Sequence, residues 1–150
     1  MCDHATMPLT RVRPTPAHAR SFSGTPAHVG QARAFAAAAA DGFPAAGDAV
    51  LLVSELAANA CAHTASGRPG GTFTVRLEVD PGAGLRAEVE DQGSGWDGDI
   101  GAAECPHGLF LLRELSGECG ARRGERGWIL WFTMARGQTA GGTPLSPRKR

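Results

Sequence analysis

Apolar and polar residues change period along this chain, and each change marks an element. Arg20-Ser21-Phe22-Ser23 alternates and predicts a short strand, after which Gly24-Thr25-Pro26 reads as a turn, an N-cap Thr and a Pro in the first helical position. Val29, Ala32, Phe35, Ala36 and Ala39 then recur at helical spacing until Asp41-Gly42 and Pro44 close the segment. A second helix is expected from about Ala45 to His63, with Ala49, Val53, Leu56 and Ala60 on one apolar face, and the loop Ser66 to Gly71 ends it. The period then falls to two. Phe73, Val75, Leu77 and Val79 alternate with Thr74, Arg76 and Glu78; Pro81 to Gly84 turns the chain; Leu85, Ala87 and Val89 alternate with Arg86, Glu88 and Glu90. That is a hairpin of half-buried antiparallel strands. Gly93 to Pro106 reads as a loop, Gly108 to Ser116 as a short helix, and Cys119 to Arg122 and Trp128 to Met134 as two last strands joined through Gly124 to Gly127. This order predicts an α+β fold: a two-layer α/β sandwich with helices on one face of a mainly antiparallel sheet.

The two ends lack such periodicity. Residues 1–18 are rich in Pro, Thr and His, and residues 137–150, GQTAGGTPLSPRKR, are poor in apolar residues and basic at the tip. Both are expected to be disordered, around one domain spanning 19–136. A length of 150 residues suits a single compact domain with one site. Fifteen basic residues balance fifteen acidic ones, so the footprint of a phosphate-backbone binder is missing and no direct nucleic-acid partner is expected. No apolar run approaches the roughly 20 residues of a membrane helix, and the first residues hold no apolar signal segment, which points to a cytoplasmic protein with no membrane partner. The only lysine is Lys149, so the domain has no lysine ammonium for a P-loop or a protein-kinase fold. Cys61 and His63 diverge by about 200° on a helix and could not share a zinc ion, so the cysteines read as small buried thiols.

Three places break the pattern in ways that suggest chemistry. Asp91 keeps the parity of Leu85, Ala87 and Val89, so alternation aims its carboxylate at the buried side. Either it is kept there to accept a ligand's hydrogen bond, or the strand ends at Glu90 and Asp91 only starts a turn with Gly93. Glu55 and Asn59 stand four apart on the second helix, with His63 a further turn along, and make one polar stripe. Such a stripe is either a solvated helix face or a site in which the Asn oxygen holds hydrated Mg²⁺ while the Glu serves as a base. Asp91-Gln92-Gly93-Ser94-Gly95 ends a strand in two glycines, and His107-Gly108-Leu109 opens a helix whose N–H groups could meet an anion.

Taken in order, Glu55-Leu56-Ala57-Ala58-Asn59-Ala60, then Asp91 to Gly95, then Gly108-Leu109-Phe110-Leu111-Leu112 resemble the N, G1 and G2 boxes of the GHKL (histidine-kinase-like) ATPase superfamily. The stretches VLLVSELAANACAH, WILWF and SFSGTP are similar to the small bacterial anti-sigma-factor serine kinases within it. The resemblance implies the Bergerat fold with ATP and Mg²⁺ as cofactors. Asp91 would accept from the adenine amino group, Gly93 and Gly95 would let the ring seat, and Asn59 would ligate the metal. Glu55 would be the general base, His63 would line the nucleotide site, and the backbone of His107, Gly108 and Leu109 would receive phosphate. Two departures stand out: Pro106 replaces a glycine of the third box, and Ile129 stands where the subgroup carries a Thr that helps hold adenine. The implied function is a serine protein kinase that phosphorylates and binds an anti-anti-sigma-type protein in transcriptional control, with a sigma factor and a homodimer as further implied partners. The alternative is a non-catalytic interaction adaptor, gated by ATP or without nucleotide.

Overall fold

The computed structural model describes residues 17–93 and 109–137. Five strands form one sheet in the order β1-β2-β3-β5-β4, with every neighbouring pair antiparallel. They are β1 (Ala17–Ser23), β2 (Thr72–Asp80), β3 (Gly84–Glu90), β4 (Glu118–Arg123) and β5 (Trp128–Ala135); the helices are α1 (Pro26–Ala39), α2 (Ala46–His63) and α3 (Leu109–Leu115). This is the expected two-layer α+β sandwich. No helix among the described residues is long and apolar enough to cross a membrane.

β1 begins three residues earlier than alternation suggests, because Ala17, His18 and Ala19 pair through their backbone with Glu78, Leu77 and Arg76 while their side chains stay exposed. Pro26 opens α1 as expected. Thr25, however, makes no side-chain cap to the backbone, and its hydroxyl lies 2.6 Å from His28 Nδ1 instead. α2 runs almost as predicted, and Ala49, Val53, Leu56 and Ala60 are all buried. On its outer side Leu51, Ala58 and Ala62 are exposed.

Helix-facing positions of the sheet supply the core: Phe22, Phe73, Val75, Leu77, Leu85, Ala87, Val89, Leu130, Phe132 and Met134 are buried against Ala32, Ala36, Leu52, Val53 and Leu56. Phe22 stacks on Phe73 at 5.5 Å and meets Phe35 edge-on at 5.8 Å, which ties β1 and β2 to α1. A fully buried Phe such as Phe73 contributes about 1.5–3 kcal/mol. The far side of the sheet is held differently. Glu88 Oε1 accepts from Arg86 and Arg122 at 3.0 Å each, and Arg76 donates to Glu90 at 3.0 Å. Burial pushes the Glu88 carboxyl up, but its bonds to Arg122 and Arg86 outweigh burial and hold it below the usual range.

Candidate functional site

The carboxyl end of α2 and the end of β3 are fastened together. After His63 the chain enters a 3₁₀ turn, Ala65–Gly67, that sequence pattern alone did not reveal. Thr64 accepts from Ser66 N–H at 3.0 Å and starts it. Ala65 N–H donates to Gly93 O at 2.9 Å, and Gln92 N–H donates to the buried Ser66 hydroxyl at 3.0 Å. Gln92 also accepts from Thr72 N–H at 3.0 Å, which fixes the segment against the start of β2. Asn59 lies one helical turn, about 6 Å of rise, before the end of α2, so it and the Asp91–Gly93 segment flank one corner of the fold.

Asp91 is only 6% exposed, as its parity predicts, and it also starts a turn. Its inward orientation and its place in a turn therefore coexist. Its Oδ1 accepts from Gly93 N–H at 2.7 Å and from Trp128 N–H at 3.1 Å, while its own N–H donates to Trp128 O at 3.0 Å. In an ordinary antiparallel pair the backbones would exchange both bonds; here the side chain takes one of them. Both donors fall on one oxygen, so Oδ2 has no hydrogen-bond partner among the described residues. Burial raises the carboxyl above its ordinary range; the two backbone donors pull it down and Glu90's charge adds to the rise.

Asn59 is 8% exposed, and its Nδ2 is a buried polar atom with no hydrogen-bond partner among the described residues. An unsatisfied buried group of this kind costs about 1–3 kcal/mol, so a water or a ligand that bonds to it would be stabilising. Glu55, one turn earlier, is half-buried, and His63 is exposed at the last residue of α2. Gly93 takes φ +100, a conformation that suits glycine. Leu109 is the first residue of α3, whereas Gly95, His107, Gly108 and Pro106 lie outside the described residues.

Sequence reasoning missed Gly127 and Trp128, reading the first as hairpin turn and the second as strand. A Cβ on Gly127 would lie 2.2 Å from Gly93 N and 2.5 Å from Asp91 Oδ1, so only glycine lets the hairpin close over the carboxylate. Neither neighbour can retreat cheaply. Gly127→Ala is expected to destabilise the fold by about 1–3 kcal/mol, read as a lower Tm in thermal unfolding; an unchanged Tm would refute the close approach. Ile129 registers with Glu90 and Arg122, on the far side of the sheet from Asp91, and the residue opposite Asp91 is Trp128.

The sequence profile of the histidine kinase-like ATPase domain matches residues 22–134, which contain the whole of this corner. The chain belongs to the histidine kinase-like ATPase family. Among solved structures, the RsbU and RsbW domains of Rv1364c from Mycobacterium tuberculosis share the fold, with a TM-score of 0.56 at 22% identity over 81% of this chain. The chain spans 32% of that protein's crystallised length. No curated protein matches. Membership in the histidine kinase-like ATPase family implies ATP binding, and the residues present suit it. A buried carboxylate keeps one oxygen uncommitted at the end of β3, and an orphaned amide stands near the end of the helix fastened to it. A half-turn of that amide exchanges its ends, so either a donor or a cation-binding oxygen can face a ligand.

Proposed function

We propose that this histidine kinase-like domain is an ATP-dependent serine kinase and regulatory binding protein of the cytoplasm. Its substrate would be a small protein of the anti-anti-sigma type; a sigma factor and a second copy of the chain are further partners in this reading. The observation that carries it is the unpartnered, buried amide of Asn59 one turn from Glu55 on the same helix. The motif resemblance to anti-sigma serine kinases supports the partner class.

Bound ATP with Mg²⁺ would supply the transferable phosphoryl group and the cation that offsets its charge. Asp91 Oδ2 accepts the adenine amino group, while Oδ1 stays committed to Gly93 and Trp128. Asn59 would hold the cation through its amide oxygen. Glu55, half-buried and therefore reachable, would take the proton from the partner's serine hydroxyl as that oxygen attacks the γ-phosphorus of ATP and the bond to the β-phosphate oxygen breaks, releasing ADP. Isothermal titration of the full chain with ATP and Mg²⁺ tests the reading, with saturable heat expected below millimolar nucleotide. Absence of heat up to millimolar ATP would reject it and leave a bare interaction module.

A further inference from the structure

Three unlike side chains stand in a row across the helix-facing side of three strands. Asp91 exchanges hydrogen bonds with Trp128, and Trp128 registers with Arg123 on β4. The Arg123 guanidinium carbon lies 4.7 Å from the Trp128 ring centroid. On this side of β5 the apolar carpet of Leu130, Phe132 and Met134 is buried, yet Trp128, larger than any of them, is only half-buried. An indole serving the core would be expected to continue that carpet. Instead it stops short, beside a buried carboxylate that keeps one oxygen uncommitted.

We infer that Trp128 is a base-contacting residue of the nucleotide site and that Arg123 is a positioning residue that holds its indole. The inference rests on the reading of Asp91 as the acceptor for a purine amino group. Directly opposed side chains on one sheet face have Cβ atoms about 4.5–5.5 Å apart, so a planar base bonded to Asp91 Oδ2 lies within reach of the Trp128 ring. A flat π-surface there favours a purine over the smaller pyrimidine ring, whichever phosphates follow. The Arg123 cation against the ring restricts its rotamers before ligand arrives, which lowers the ordering cost of binding.

The test uses the full chain with ATP and Mg²⁺. Trp128→Leu is expected to weaken ATP binding roughly tenfold by calorimetry, within the range for loss of one base–aromatic contact. Trp128→Phe should recover most of that loss, because an aromatic face is restored. Arg123→Gln should weaken ATP by a few-fold, an effect expected to vanish when Arg123→Gln is combined with Trp128→Leu. ATP should also change the intrinsic tryptophan emission of the native chain, and that change should disappear in Trp128→Phe although the variant still binds. Wild-type affinity in Trp128→Leu would overturn the inference. Should that variant not fold, an undiminished emission change in Trp128→Phe would overturn it equally. Asp91→Asn separates the two levels: if it weakens ATP while Trp128→Leu does not, only the role of Trp128 falls. If the native chain takes up no ATP, the nucleotide reading falls with it.

Discussion

Asp91→Asn should cost the protein most of its ATP affinity while leaving it folded. In the proposed reading the structural bonds fall on one oxygen and the adenine amino group on the other, which makes the substitution selective. Asn keeps a carbonyl oxygen that can accept from Gly93 N–H and Trp128 N–H, so the junction of β3 and β5 survives. The remaining atom changes from an acceptor to an NH₂ donor and meets the donor of the adenine amino group. A mismatched buried polar pair costs about 1–3 kcal/mol, hence a loss of about ten- to a hundredfold in affinity by isothermal titration. Unchanged affinity would assign Asp91 to the turn alone. A second readout is the pH dependence of stability. Burial raises the native-state pKa of Asp91, so its contribution is fully present below the ordinary carboxylate pKa and is lost as pH rises through the raised one. Chemical denaturation across that window should show stability falling with pH in the native protein, with this component absent from Asp91→Asn.

Glu55→Ala should reduce phosphoryl transfer at least a hundredfold and spare nucleotide binding. General-base effects start at about that size. The side chain is half-buried on a helix whose other face makes the core, and among the described residues it makes no hydrogen bond or ion pair that holds the fold. Truncation therefore removes the base and little else. Transfer of labelled phosphate to a partner protein co-purified with the tagged chain is the measurement, with ATP titration of the same variant as the control. Transfer at the original rate would remove Glu55 from the mechanism.

Much of this was legible in the chain because period and parity are local properties. Strict alternation in β2 and β3 fixed which side each residue faces, and that alone carried Asp91 inward. The helical stripe of Ala49, Val53, Leu56 and Ala60 likewise matched the buried face of α2. What escaped depends on contacts between distant segments. The 3₁₀ turn that Thr64 starts is fastened by a bond between Ser66 and Gln92, 26 positions apart. Gly127 looked like any turn glycine, since the atoms it must clear belong to Asp91 and Gly93. Resemblance singled out Ile129 as the position of the subgroup's Thr, whereas counting parity back from Leu130 puts Trp128 on the side of Asp91. That signal was present in the sequence, but only the pairing of β3 with β5 says which residue it sits opposite.

The ladder of arginines around Glu88 and Glu90 has a consequence for how copies of this molecule coexist. A chain with equal numbers of acids and bases has little long-range repulsion to keep its copies apart. Among the described residues, one broad side of its sheet carries no helix. Had that side been aliphatic, it would have been adhesive; ion pairs from three strands make it hydrophilic, so colloidal behaviour depends on locally bound water rather than on excess charge.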